Sequence, residues 1–318
     1  MNVIGIDLGG TKIAAAIFSD DGDVLYKNIL TLNTKKGNEV GTLIRQQIKD
    51  LISVSITERL GLEAIGISIP GIYYSKKGMV WAPNIPGWDN YPLLQEVQSM
   101  PETKNLRIAI DSDRACYILG ETWKGVAKGC QDAIFIAVGT GIGAGILIDG
   151  KILRGNSDIA GATGWMALDL PFREEFKECG CFEYHASGDG LARVTRDFLN
   201  KEQDYTGILR QKPIEQISSY DVFEAYQSND LIATLVLDKA IDFWGMAVAN
   251  FVSLFNPEKI ILGGGVFGPA AQFLDRIIQE AHKWAQPISI TQVKIVVSTL
   301  GGDAGVYGAG RLAILQQM

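Results

Sequence analysis

One arrangement occurs twice in this chain and limits what it can fold into. An apolar strand-like run enters a turn of glycine and threonine and leaves through a second apolar run. The first copy is Val3-Ile4-Gly5-Ile6-Asp7, then Leu8-Gly9-Gly10-Thr11, then Lys12-Ile13-Ala14-Ala15-Ala16-Ile17-Phe18. The second is Ala133 to Val138, then Gly139-Thr140-Gly141-Ile142-Gly143-Ala144-Gly145, then Ile146-Leu147-Ile148, closed by a turn at Asp149-Gly150. Each reads as a hairpin, and the pair at the start of each half suggests an internal duplication.

Between and after the two hairpins, helical periodicity predicts helices near 40–60, 115–126, 190–199, 220–227, 231–255 and 270–284, followed by a last helix after Asp303. Buried-strand patterns occupy Ala64 to Ile69, Leu106 to Ile110, Lys259 to Leu262 and Val293 to Val297. The alternation argues for an α/β architecture. No low-complexity linker separates the halves, so two domains packed around a cleft are expected, with a hinge near residue 115.

The 318 residues are 47% hydrophobic, which fills two cores and excludes a disordered or fibrous chain. Charge narrows the partners: 29 basic against 36 acidic residues, with the basic ones scattered, give no nucleic-acid footprint. The most apolar segment, Leu231 to Phe255, is broken by Asp238, Lys239 and Asp242 and reads as a buried helix rather than a membrane span. Four cysteines make no disulfide scaffold, and the opening residues carry no basic-then-apolar signal, so a cytoplasmic location is expected.

Glycines at a strand end let backbone N–H groups approach an anion, and a nearby threonine adds a donor. Each turn taken alone reads better as an ordinary hairpin that needs left-handed backbone; for the pair together, the phosphate reading gains ground. A P-loop is excluded because Thr11-Lys12 follow in the wrong order and no helix starts there. A dinucleotide fingerprint at Gly139 to Ala144 is disfavoured because strand, not helix, follows it.

Asp7, at a strand end against the turn, is either a turn aspartate bonding its own backbone or a group near Mg²⁺ carried by a nucleotide. Asp111-Ser112-Asp113 sit where a strand hands over to a helix opening at Arg114 or Ala115. One carboxylate is read as the N-cap and the other as free for general-base work, with both as caps the alternative. Cys179-Gly180-Cys181 with His185 lacks a second spaced pair, and the only other histidine is His282, so buried thiols are a better reading than zinc.

Taken together, these residues resemble the ROK family of sugar kinases and repressors, within the actin, Hsp70 and sugar-kinase superfold. The resemblance runs through Asp7 to Ile13, Pro70-Gly71, Ala82 to Trp88, Asp111 to Asp113, Gly120-Glu121, Gly139 to Gly145, Gly180 to Glu183, Ser187-Gly188, Asn256-Pro257, Leu262 to Gly265, and Gly301, Asp303 and Ala304. It implies two RNase H-like (actin-like ATPase) domains around a central nucleotide and sugar cleft, one of residues 1–114 plus 303–318 and one of 115–302. It also implies ATP, with the triphosphate on Asp7, Gly9, Gly10, Thr11, Lys12, Gly139, Thr140 and Gly141 and the adenosine near Gly263, Gly264 and Gly265.

By the same resemblance Asp113 is the catalytic base, Asp7 helps hold hydrated Mg²⁺, and Gly71, Asn84, Ser112, Asp113, Trp165 and Glu183 line the sugar site. A homodimer is implied, and the hairpin starting at residue 3 favours the kinase branch over the repressors. The expected activity is phosphoryl transfer from Mg²⁺-ATP to a sugar hydroxyl; a sugar or nucleotide sensor is the alternative.

Three departures bear on the acceptor. The family's Gly-Glu-x-Gly-His reads Gly161-Ala162-Thr163-Gly164-Trp165. Of the zinc cysteines only Cys181 is retained, with Glu174 and Phe176 at earlier positions, so no zinc site is expected. Ser112 stands where many members have a sugar-binding asparagine. Loss of a carboxylate and an imidazole predicts a different or less polar acceptor, such as a deoxy sugar, an anhydrosugar or a ketose.

Overall fold

A computed structural model describes residues 1–315. Two compact units share the chain: the first is Met1–Gly129, Ile152–Ala160 and Gly302–Met318, the second Cys130–Lys151 and Gly161–Gly301. In the first unit the order is β1 (Asn2–Leu8), β2 (Lys12–Ser19), β3 (Val24–Thr31), α1 (Asn38–Thr57), β4 (Leu62–Ile69), β5 (Ile72–Tyr74), β6 (Met79–Trp81), α2 (Leu93–Gln98), β7 (Arg107–Ser112) and α3 (Asp113–Trp123). Then come β8 (Ala133–Val138), β9 (Ile142–Ile148), β10 (Lys151–Ile152), α4 (Phe176–Cys179), α5 (Cys181–Ala186), α6 (Gly188–Lys201), α7 (Ser219–Gln227), α8 (Leu231–Phe255), β11 (Lys259–Gly263), α9 (Leu274–Trp284), β12 (Lys294–Val297) and α10 (Ala304–Leu315).

The duplication is visible in the sheets. One has the order β3-β2-β1-β4-β7 and the other β10-β9-β8-β11-β12. In each, the strand before the glycine turn pairs antiparallel with the strand after it and parallel with the next one inward. The period-2 pattern of β1 explains how its sheet is covered on both faces. Ile4, Ile6 and Leu8 join a core with Val40, Ile44 and Ile48 of α1, while Val3 joins Phe18, Trp123 and Val306 on the other side. The second unit has its own core, centred on α8 residues such as Phe243, Trp244 and Val248.

The division between units differs from the boundary at 114/115 expected from the sequence. α3 is continuous through residue 115 and stays with the first unit, because α10 lies directly against it. A side chain at Gly308 would sit 1.7 Å from the Cys116 carbonyl oxygen, and one at Gly120 2.4 Å from that of Ala304, so the two backbones touch where only glycine fits. The helix also opens at Asp113, before the expected Arg114 or Ala115. Residues 152–160 return to the first unit, where Arg154 pairs with Asp111 and Asp158 accepts hydrogen bonds from Ser75. Among the described residues no helix is long and apolar enough to cross a membrane; α8 matches its predicted span.

Candidate active site

In the first unit, β1 delivers Asp7 to the edge of the glycine turn. Ser68 at the end of β4 donates to Asp7 Oδ1 at 2.6 Å. A side chain at Gly305 would lie 2.4 Å from the same carboxyl, which therefore sits against the first turn of α10. Part of Asp7 remains open to solvent, but its carboxyl is enclosed by protein. Its pKa is pushed up to about 6, chiefly by burial; Ser68 and Lys12 oppose the rise and Asp303 adds to it. An enclosed carboxyl that resists ionisation fits a place beside the water shell of a divalent cation, whose charge would favour the anion.

β7 then places three polar residues at the start of α3, and they divide the work differently from the sequence expectation. Ser112 is the N-cap, its hydroxyl accepting from the Ala115 N–H at 3.3 Å, so neither aspartate caps the helix. Asp111 is buried and committed: its Oδ1 accepts from the Ser112 N–H at 2.8 Å, and its Oδ2 accepts from Arg154 Nε at 3.0 Å and Nη2 at 2.5 Å. Asp113 occupies the first helical position. Its Oδ1 accepts from the Arg114 N–H at 2.8 Å, and its carboxyl is hydrogen-bonded by the Tyr117 side chain. Burial is the main cause that lifts its pKa to about 6; Arg114 and Tyr117 favour the anion and Asp7 disfavours it. A base with a pKa near working pH is what proton abstraction requires.

Of the other predicted residues in this unit, Gly9 closes the turn by donating its N–H to the Lys12 carbonyl oxygen at 2.9 Å, while Gly10, Thr11 and Lys12 are exposed at its tip. Gly71 follows β4 in left-handed backbone, and a side chain there would lie 2.1 Å from the Trp81 carbonyl oxygen. That contact brings Gly71 beside the loop carrying the exposed Asn84. The loop is braced by Trp88, which stacks on Tyr91 at 4.3 Å and donates from Nε1 to the Gly37 carbonyl oxygen at 3.0 Å.

In the second unit, the turn at Gly139, Thr140 and Gly141 is tied to the start of α6. The N–H groups of Gly188 and Asp189 donate to the carbonyl oxygens of Gly139 and Thr140 at 2.7 and 3.4 Å. The turn borders a cavity of about 540 Å³ whose wall also includes Arg196, Ser219, Phe223 and Gly265. Gly264 is a structural glycine: its backbone is left-handed, and a side chain would lie 2.4 Å from the Val138 carbonyl oxygen. Gly263 packs against the ring of Phe135.

Gly10, Gly139 and Gly265 behave differently. None has left-handed backbone, and a Cβ added at any of them would meet no protein atom beyond its chain neighbours within 4 Å. The hairpin-strain alternative therefore does not account for glycine at Gly10 or Gly139. The free space is what a backbone cradle for a bound group would need.

Glu183 reaches this turn from α5. Its Oε2 accepts from the Ile142 N–H at 2.7 Å, and side chains at Gly141 or Gly164 would collide with it. Burial raises its pKa, opposed by the Ile142 hydrogen bond and Arg193. One carboxylate oxygen is thus already used inside the protein. Trp165 is 57% exposed rather than enclosed, its backbone packed under Gly180.

Where the sequence expects no zinc, rings and guanidinium groups are clustered. Arg173 lies over Phe176 and Tyr184, Arg193 lies over Tyr184, and His185 stacks on Phe243 at 4.5 Å. Cys181 is buried but Cys179 only partly so, with Arg193 Nη1 3.3 Å from its sulfur. Among the described residues no group of three or more His, Cys, Asp or Glu is placed to hold a metal ion.

Sequence reasoning missed Ser68, Arg154 and Tyr117. Ser68 left a signal, being the one polar side chain in the apolar run Ala64 to Ile69. Arg154 acquires meaning only from Asp111 across the fold, whereas Tyr117 lies one turn beyond Asp113 on α3, a spacing the sequence does show.

The sequence profile of the ROK family matches residues 3–316. The chain is 32% identical to a glucokinase of Halalkalibacterium halodurans, covering 99% of this chain and 95% of that protein. It is 30% identical to a xylose repressor of Caldicellulosiruptor bescii, over 98% of this chain and 78% of the repressor. The crystal structure of a ROK family glucokinase from Streptomyces griseus, in complex with glucose and AMPPNP, matches with a TM-score of 0.76 at 29% identity, over 99% of this chain and 100% of that one.

Proposed function

This chain belongs to the ROK family and has its actin-like ATPase fold, and we propose that it acts as a Mg²⁺-ATP-dependent sugar kinase whose acceptor differs from glucose. The observation that carries the reading is the division of labour at the start of α3. Asp111 is held by Arg154 and Ser112 caps the helix, so Asp113 is left as the enclosed carboxyl with a pKa near 6. In the reaction Asp113 accepts the proton as the acceptor oxygen bonds to the γ-phosphorus and the bond to the ADP oxygen breaks. Open backbone at Gly10, Thr11, Gly139 and Thr140 would cradle the phosphates, Gly9, Lys12 and Gly141 would frame the two turns, and the cavity bounded by Gly265 would take the adenosine. Mg²⁺, when bound, would neutralise phosphate charge, with Asp7 on its water shell.

The sugar would lie over Gly71 and Asn84, with Glu183 as a hydroxyl acceptor. Ser112 would contribute little to it, because its hydroxyl already caps α3. Ala162 and Trp165 remove two polar contacts, which supports a less polar or differently arranged sugar. The same two residues, with the likeness to a xylose repressor, favour a second reading: a sensor that binds sugar or nucleotide without turnover.

ADP release from Mg²⁺-ATP, measured over hexoses, amino sugars, deoxy sugars, anhydrosugars and ketoses, separates the two. One sugar should turn over, with Asp113→Asn lowering the rate by about 10²–10⁴-fold while ATP binding persists. Nucleotide binding with no turnover on any sugar would establish the sensor.

A further inference from the structure

Asp113 does not stand alone on its helix. Tyr117 is four residues further along α3, so the two side chains share one face about a turn apart. The Tyr117 hydroxyl hydrogen-bonds the Asp113 carboxyl, while the Arg114 N–H holds Oδ1. A tyrosine hydroxyl can donate to a carboxylate, whereas an ionised phenolate could not. Burial, with the charges of Asp113 and Asp7 and the nearby Cys116, pushes the Tyr117 phenol well above its ordinary value, so it stays a donor throughout any working pH.

Resting on the kinase reading above, we propose that Tyr117 is the positioning residue for the base: its hydroxyl donates to the Asp113 carboxylate, fixes the rotation of that carboxyl, and favours the form able to accept the sugar proton. The groups facing Asp113 are Arg114 and Tyr117 from its own helix and Asp7 from β1, which acts across space. Arg114 and Tyr117 stabilise the anion and Asp7 opposes it. Removing the phenol hydroxyl therefore leaves Asp7 less well opposed and moves the titration of Asp113 upward. The ring can stay in place while the hydrogen bond is lost, which separates this role from packing.

The test is Tyr117→Phe, with Tyr117→Gln as a variant that keeps a donor and thermal melting as a check on folding. In the phenylalanine variant the acid limb of kcat/KM for the acceptor should move up by about 0.5–1 pH unit, a loss of roughly 3–10-fold below the limb and under about 2-fold on the alkaline plateau. The glutamine variant should restore most of the limb. A carbon-13 carboxyl titration of Asp113 in wild type and Tyr117→Phe reads the same displacement without turnover.

An Asp113 titration and acid limb that stay in place in a folded Tyr117→Phe protein would overturn the positioning role. If instead the titration moves but Asp113→Asn still turns over at the wild-type rate, the base assignment has failed and the hydrogen bond alone stands.

Discussion

The two sheets share a strand order but not a chemistry. At the step before the turn, β1 reads Asp7-Leu8-Gly9 and β8 reads Ala137-Val138-Gly139. The first unit puts a carboxyl at that step and a second one, Asp113, at the start of α3, both titrating near 6. The second unit has alanine there and builds a cavity beside its turn. One duplicated frame thus gives a turn with open glycine backbone twice over, and single substitutions at the strand end decide whether it also carries acid–base groups.

The sharpest way to break this comparison is to fill the open glycines and the packed ones in turn. Gly139→Ala should fold normally, since no protein atom beyond its chain neighbours lies within 4 Å of a new Cβ, yet raise the KM for ATP by about tenfold or more. Gly264→Ala should do the reverse, costing about 1–3 kcal/mol or more of stability through left-handed strain and collision with Val138. Melting curves beside ATP titrations check both. If Gly139→Ala binds ATP normally, the turn is only a turn.

Acid stability sharpens the comparison further. Asp7 and Asp113 titrate near 6 in the folded chain against 3.8 unfolded, so between about pH 4 and 6 the folded state holds more protons and their contribution to stability declines as pH rises. His185 in the second unit behaves oppositely. Burial, its main cause, lowers it to about 4 from 6.5, so its contribution is present above pH 6.5 and is lost as pH falls through 4. After solvent screening these effects are on the order of 1–2 kcal/mol each. Denaturant titration should find Asp113→Asn more stable than wild type at pH 8 by on the order of 1 kcal/mol and indistinguishable at pH 4. Equal differences at both pH values would remove the burial argument for Asp113.

The smallest expected effect is none. With rings and guanidinium groups occupying the segment around Phe176, Tyr184 and Arg193, a chelator should leave the melting temperature unchanged. A fall beyond about 5 °C would show that a metal holds that segment.

Much of this was legible in the sequence because it rests on local pattern. The two turns follow from glycine between apolar runs, and α8 follows from the long apolar run Leu231 to Phe255, broken by charge only at Asp238, Lys239 and Asp242. β3 was not legible: it is an edge strand whose Val24, Leu25, Tyr26 and Ile29 are exposed, so it carries no inside–outside alternation. The boundary after Gly129 was hidden for a different reason, since it depends on the fit of α3 to α10 at Gly120 and Gly308. Within the site, Asp113 stood out by position, but its exclusive availability depends on Arg154, 43 residues from Asp111 along the chain. Trp165 entered the candidate sugar site by its place in a motif, and its 57% exposure was not legible in that motif.

The contact of α10 with β1, β4 and α3 has a consequence for how the protein is made. Gly5 and Gly66 give α10 its seat on the first sheet, with its backbone where side chains from those positions would otherwise lie. On a ribosome, the strands that need this helix are synthesised first and the helix follows the entire second unit. The second unit can close as soon as residue 301 emerges, while the first waits with one face of its sheet only partly covered, by α3. The unit that begins the chain is therefore the last to be completed, and the enclosure of Asp7 against α10 arrives only with that final step.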